Sequence, residues 1–191
     1  MDLHRNARSQ VSMTKHVAFL RAINVGGHVV KMEQLRDLFS AMGFAKVETF
    51  IASGNVIVEA KSDDTKKLET LIETQLHKSL GYEVSAFLRT LEELRRVEQY
   101  RPFGDAELNG KDNALFVGFI AAKPNKTGVQ RVESMRTDVD DLKVHNREVY
   151  WLLRTSFSDS KISGARLEKA LGAKATFRNM NTIRRLIAKY S

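Results

Sequence analysis

The sequence predicts an α+β fold of two tandem ferredoxin-like (alpha-beta plait, βαββαβ) subdomains, each followed by a helix. Three observations lead there. The order strand, helix, strand, strand, helix, strand reads twice along the 191 residues. The two kinds of element separate by period, apolar residues recurring every three or four positions in helices and alternating or running on in strands. A local pattern also repeats: Phe87-Leu88-Arg89 followed by Leu94-Arg95-Arg96-Val97 has a counterpart 89 residues on, in Thr176-Phe177-Arg178 followed by Ile183-Arg184-Arg185-Leu186. Leu80-Gly81 matches Leu171-Gly172 in the same way.

The first strand is predicted over 16–24, with Ala18, Leu20 and Ala22 on one face and Val17, Phe19 and Ile23 on the other. Both faces are apolar, which suits the centre of a sheet. A helix from Met32 carries Leu35, Leu38, Phe39 and Met42 at helical spacing and stops at Gly43. Residues 47–52 and 56–59 form a hairpin about Ser53-Gly54-Asn55, types that tolerate a turn. A second helix bears Leu68, Leu71, Ile72 and Leu76 and ends near Gly81; the fourth strand covers 83–89. Thr90 and Glu93 have capping-box spacing and open a further helix through Leu94 and Val97.

Pro102 and Gly104 punctuate the link, so the first subdomain is placed at 13–100 and the second, basic one at 101–191. Residues 1–12 read as a flexible N-terminal extension. In the second half a strand spans 113–121, and a helix spans 127–135 with Val129 and Val132 inward. A hairpin of 142–145 and 148–154 turns about Asn146-Arg147. Ser163 caps a short helix through Leu167 to Leu171, stopped by Gly172; a strand over 174–177 and a closing helix over 183–190 follow.

Composition removes several classes of function. There is no cysteine, which excludes disulfides, thiolate nucleophiles and cysteine zinc sites. No apolar run is long enough for a membrane span, and MDLHRNARSQVS lacks the apolar core of a secretory signal, so the expected location is the cytoplasm. The five histidines are scattered, none at metal spacing, and no cofactor is called for. The net charge of +8 is unevenly placed. From 13 to 98, 12 Lys and Arg face 12 Asp and Glu, whereas from 99 to 191 it is 17 against 10. Beyond Leu153, Arg154, Lys161, Arg166, Lys169, Lys174, Arg178, Arg184, Arg185 and Lys189 face only Asp159 and Glu168. Such a concentration raises the case for a polyanionic or phosphate-bearing partner, although a solvated surface accounts for it more simply.

Four segments supply receptor chemistry for an anion. Arg21, Asn24, Gly26, Gly27 and Lys31 lie at a strand-to-helix loop and offer uncovered N–H groups with cations. Their spacing is neither a P-loop nor a dinucleotide fingerprint, and a tight turn needs the same glycines. Ser53 and Asn55 put a hydroxyl and an amide at the hairpin tip. Arg178 stands before Asn179, Asn181 and Thr182 at a helix start, where free N–H groups and a guanidinium together receive anions. Lys161 follows Ser160, which invites a Ser/Lys nucleophile reading as well as a loop and N-cap. Finally, LFVGFI (115–120) is like the first strand of RNA-recognition domains, with Phe116 as a base-stacking ring aided by Tyr150 or Trp151, although NREVYWLL lacks the third-strand glycine and spaced aromatics.

Several of these motifs together resemble a bacterial family. LRAINVGG (20–27), Leu35-Arg36, Gly43-Phe44, ASGNVI (52–57), REVYW (147–151), Ser160-Lys161 and LEKALGAKATFRNMNT (167–182) resemble the family classed as domain of unknown function 1697. The resemblance implies two tandem alpha-beta plait subdomains and implies no activity. Where its members often carry Gly at the second hairpin turn, this chain has Asn146, which also tolerates the left-handed region. The leading expectation is therefore a cytosolic binding protein for an anionic, phosphate-bearing ligand, nucleic acid being the most natural. The alternatives are an enzyme acting on a small phosphorylated or nucleotide-like substrate between the halves, and a protein-interaction module exposing Tyr150 and Trp151. The sequence leaves the oligomeric state open.

Overall fold

The computed structural model describes residues 13–191 apart from residue 25, residues 52–53 and residues 157–158. The expected extension at 1–12 and the turn residue Ser53 lie outside the described residues. Strand β1 (Thr14–Arg21) buries Val17 and Phe19 on one face and Ala18 and Leu20 on the other. It is central, as its two apolar faces require: it pairs antiparallel with β3 (Asn55–Ala60) on one side and β4 (Ser85–Thr90) on the other. The strand stops at Arg21 rather than Asn24 because Ala22 (φ 69°) and Asn24 (φ 54°) turn the chain left-handed.

Helix α1 (Met32–Ala41), strand β2 (Ala45–Thr49) and helix α2 (Thr65–Leu80) complete the first unit, and the sheet order is β2-β3-β1-β4. Helix α3 (Leu91–Gln99) follows β4, opened by the reciprocal Thr90–Glu93 capping box that the sequence predicts. A short helix α4 (Asp105–Leu108) lies on the link. Strand β5 (Ala114–Ile120), helix α5 (Lys126–Glu133), strands β6 (Asp140–His145) and β7 (Glu148–Leu153), helix α6 (Gly164–Leu171) and strand β8 (Ala175–Asn179) repeat the order, with sheet order β6-β7-β5-β8. Helix α7 (Met180–Tyr190) closes the chain. On α5, Gly128 and Val132 turn inward while Val129 is half-buried: a Cβ on Gly128 would lie 3.1 Å from the Leu171 carbonyl oxygen, so glycine lets α5 approach the end of α6. The result is a mixed α+β protein of two similar halves.

Three apolar layers hold it together. Leu35 and Phe39 of α1 and Leu68, Ile72 and Leu76 of α2 cover the outer face of the first sheet. Val132 of α5 and Leu167 and Leu171 of α6 cover the outer face of the second, over Trp151 and Val149. The inner faces share one core, in which Val17, Phe19, Ile57 and Phe87 meet Val117, Phe119, Tyr150 and Leu152 beside α3 and α7. At its centre the rings of Phe19 and Phe119, equivalent residues of β1 and β5, stack at 4.1 Å and 6°. Sheet edges end on carboxylates of the covering helices. Ala86 and Leu88 donate to Glu73 and Glu69, Ala175 to Glu168 and Val144 to Glu133, so edge N–H groups are sealed against stray pairing.

Among the buried polar residues of the first half, His16 stands apart. It is fully buried between Val58 and Thr90, and neither ring nitrogen has a partner at hydrogen-bonding geometry. Burial pulls its pKa below the ordinary histidine value, opposed in part by the Ser62 backbone, Asp63 and Glu93. The unfolded chain therefore binds a proton near ~6.5 that the folded chain refuses. Stability should be full above that pH and fall as pH drops through the window between the unfolded and the lowered folded value. Urea denaturation across this range should show the acid-side loss, and His16→Leu should flatten it without weakening the fold at pH ~7.5. An unchanged pH profile in that variant would show that other groups set it.

Candidate functional site

The strongest polar geometry lies at the junction of the halves, in two equivalent arginines. Arg89, on β4, is fully buried and reaches across the interface. Its Nε donates to Glu148 Oε1 at 2.7 Å and its Nη2 to the carbonyls of Ile120 and Arg147, each at 2.9 Å, while Nη1 donates to its neighbour Leu88 at 2.8 Å. Arg178, on β8, does the reverse. Its Nε donates to Asn55 Oδ1 at 2.6 Å, its Nη2 to the Leu20 carbonyl at 3.0 Å, and its Nη1 to the Phe177 carbonyl at 2.9 Å and Thr176 Oγ1 at 2.8 Å. Each guanidinium also faces the ring of the central phenylalanine on the opposite half, Arg89 over Phe119 at 5.3 Å and Arg178 over Phe19 at 5.7 Å. Burial lowers the pKa of both; that of Arg178 falls to about 10, while Glu148 opposes the effect on Arg89. Both remain cations at neutral pH, because a guanidinium is not deprotonated in proteins.

Arg178 is thus a tie between halves where the sequence suggested an anion receptor. Asn55 is buried as well, its Nδ2 donating to the Phe50 carbonyl at 3.0 Å. Gly54 holds the hairpin against β1. At φ 71° its position admits no side chain, since a Cβ would lie 2.3 Å from Ile23 Cγ2. Asn179 caps α7 through a 2.8 Å bond from the Asn181 N–H; Asn181 is exposed and accepts from Arg184 at 3.4 Å, and Thr182 is half-buried.

Among the described residues, the glycine loop and Arg178 meet at the loop's root, at the Leu20 carbonyl. Arg21 is committed elsewhere, in a bidentate pair with Glu168 of α6 at 2.6 and 2.8 Å, which raises its pKa. Asn24 Oδ1 accepts from the Val30 N–H at 2.6 Å and closes the loop on itself. Gly26 and Gly27 are exposed at φ 62° and 87°, and Lys31, also exposed, stands at the N-cap of α1.

Two other readings are corrected. Phe116 packs against Trp151 at 5.9 Å within the layer under α5 and α6, and Tyr150 and Trp151 are 1% exposed, so neither an open base-stacking face nor an apolar patch exists at these rings. Ser160 Oγ donates to the buried Asp140, which also accepts from Trp151 Nε1 at 2.8 Å; this ties down a loop, and the neighbouring Lys161 is exposed.

The basic excess of the second half is largely spent on the first. Arg147 pairs with Glu93 at 2.7 Å, Lys174 with Glu83 at 3.0 Å, Arg184 with Glu98 at 3.3 Å and Lys189 with Glu48 at 3.5 Å. Arg185 lies over the Phe50 ring at 5.3 Å, and Arg154 pairs with Glu107 and Asp141. Among the cations without such a pair, Arg131, Arg166 and Lys169 line one groove of about 500 Å³ between α5 and α6, with Ser134, Met135 and Ala170. No carboxylate lines it. A second cavity, about 340 Å³ between α3 and the β6–β7 hairpin, brings together Glu93, His145, Arg147, Glu148 and Tyr150. There burial raises Glu93, but the Thr90 N–H and Arg147 more than offset it and leave it below the usual carboxylate range; burial pushes Tyr150 well up. Among the described residues read from the sequence as anion receptors, none lines either space; Tyr150, read as a stacking ring, lines the second. The groove was legible in principle, because 131, 134 and 135 at the end of α5, like 166, 169 and 170 on α6, have the i, i+3, i+4 spacing that brings side chains together. Among the described residues no group of three or more His, Asp or Glu is arranged to hold a metal ion.

Two similar antiparallel α+β halves, fused in tandem and tied by reciprocal buried arginines, define the class: a tandem two-sheet α+β protein. The chain belongs to the family described as protein of unknown function (DUF1697), whose model matches residues 13–150. Among solved structures it is similar to that of a conserved bacterial protein from Streptococcus pneumoniae, with a TM-score of 0.74, 22% identity, and coverage of 93% of this chain and 98% of that one. That likeness carries the fold alone. No curated protein matches the chain. No helix among the described residues is long and apolar enough to cross a membrane.

Proposed function

We propose that this is a binding protein for an anionic, phosphate-bearing ligand, received in the groove between α5 and α6. The observation that carries the reading is the set Arg131, Arg166 and Lys169 in a groove without a carboxylate, while most other cations beyond Leu153 are paired or buried. Uncompensated guanidinium and ammonium groups sharing a concave surface favour a multiply charged anion. We read each half as a ferredoxin-like plait, supported by its strand order, with subdomains at 13–100 and 101–191. A cytoplasmic location agrees with the lack of cysteine.

Inorganic tripolyphosphate is the probe for this reading. It should raise the melting temperature in a concentration-dependent way, following RT ln(1 + [L]/Kd), and the rise should vanish in Arg131→Glu/Lys169→Glu. Equal shifts in parent and variant would move the receptor elsewhere. The rival enzyme reading is favoured by the junction cavity with its displaced Glu93 and Tyr150. It predicts a ligand response lost on Arg147→Ala or Tyr150→Phe and indifferent to the groove.

A further inference from the structure

We propose that the occupant of the α5–α6 groove is the phosphate backbone of a nucleic-acid duplex, bound without regard to base sequence; this rests on the phosphate-ligand reading above. Charge placement is the first argument. The four outer helices differ sharply between halves. In α1 and α2, Arg36, Lys66, Lys67 and Lys78 face Glu33, Asp37, Glu69 and Glu73, four against four. In α5 and α6, Lys126, Arg131, Arg166 and Lys169 face only Glu133 and Glu168, four against two. Those two carboxylates are also engaged elsewhere. Glu133 accepts from the Val144 N–H at 3.1 Å and lies 3.7 Å from Lys143, while Glu168 holds Arg21 and the Ala175 N–H. The groove cations therefore have no compensating acid on their own helices.

Extent is the second argument. The lining cations come from both walls, Arg131 from α5 and Arg166 and Lys169 from α6. Three cations spread over two helices suit a chain of several phosphates better than a lone phosphate group.

The groove lining carries no aromatic ring. The apolar part is Met135 and Ala170. Single strands are held by stacking their bases on aromatic side chains, and the nearby rings of Phe116, Trp151 and Phe177 are packed in the layer beneath. A duplex keeps its bases inside and presents phosphates, which is what guanidinium and ammonium groups without rings can take. Contacts of this kind position a protein on nucleic acid and carry no sequence information.

The test is fluorescence anisotropy with labelled duplexes, one A·T-rich and one G·C-rich, at low and moderate salt. The two should bind with similar Kd. Three neutralised phosphates give a log–log salt slope of about −2.7, so affinity should fall about 40-fold for a fourfold rise in salt. Arg131→Glu/Lys169→Glu, with an unchanged melting temperature, should abolish binding. Duplex binding that survives this variant, or a marked preference between the sequences, overturns the inference. If no duplex binds at low salt while tripolyphosphate still stabilises through Arg131 and Lys169, the duplex assignment fails and the phosphate reading stands. If neither binds, both fail.

Discussion

Replacing Arg89 by alanine is expected to cost about 3–5 kcal/mol of folding stability, the penalty of breaking a buried ion pair from one side. The loss has two parts. Glu148, which is 6% exposed, loses its nearest counter-ion, and the Ile120 and Arg147 carbonyls lose donors in a dry interface. Urea denaturation at neutral pH measures it. The equivalent site on the other half supplies a control. There an amide oxygen, that of Asn55, accepts from the arginine where Glu148 does here. Glu148→Gln should therefore cost clearly less than Arg89→Ala, since an amide can still accept from the guanidinium. Equal costs for the two variants would mean that the carboxylate charge, and not the hydrogen bond to the carbonyl-rich seat, holds the interface.

How the halves meet also explains what the sequence disclosed and what it hid. Local signals were sufficient for the elements. The apolar double face of β1 announced a central strand, and Thr90 with Glu93, Ser163, Gly81 and Gly172 marked helix ends that the structure reproduces. Each of these depends on residues within a turn or two of the chain. The role of Arg178 depends on Leu20 and Asn55, more than a hundred positions away, and no local pattern distinguishes a guanidinium aimed at solvent from one aimed at buried carbonyls. The repeat itself held the missing clue. It aligned Arg89 with Arg178, and a receptor needed once by a ligand has no reason to occur in both halves, whereas an interface between similar halves needs its tie twice. The basic excess misled in the same manner. Charges counted along the sequence say nothing of partners across a fold, and Lys174, Arg184 and Lys189 turned out to pair with Glu83, Glu98 and Glu48 of the neutral half.

Arg178→Ala is the variant in which the interface role and the anion-receptor role give opposite results. As a tie, its loss leaves the Leu20 carbonyl and Asn55 Oδ1 buried without their guanidinium donor, at about 1–3 kcal/mol for each group, so a total near 3 kcal/mol is expected. The melting transition should drop accordingly, while tripolyphosphate should still raise what stability remains, because the groove lies on the far side of the second sheet. Arg178→Lys should recover only part of the loss. An ammonium on a flexible stem cannot present the fork that spans Asn55, Thr176 and Leu20 at once. If instead Arg178→Ala melts with the parent and loses its response to tripolyphosphate, the guanidinium is a ligand contact after all. The reciprocal geometry with Arg89 argues for the first outcome: one cation of each half is withdrawn from water and seated on oxygens of the other, and the stacked pair Phe19 and Phe119 lies between them.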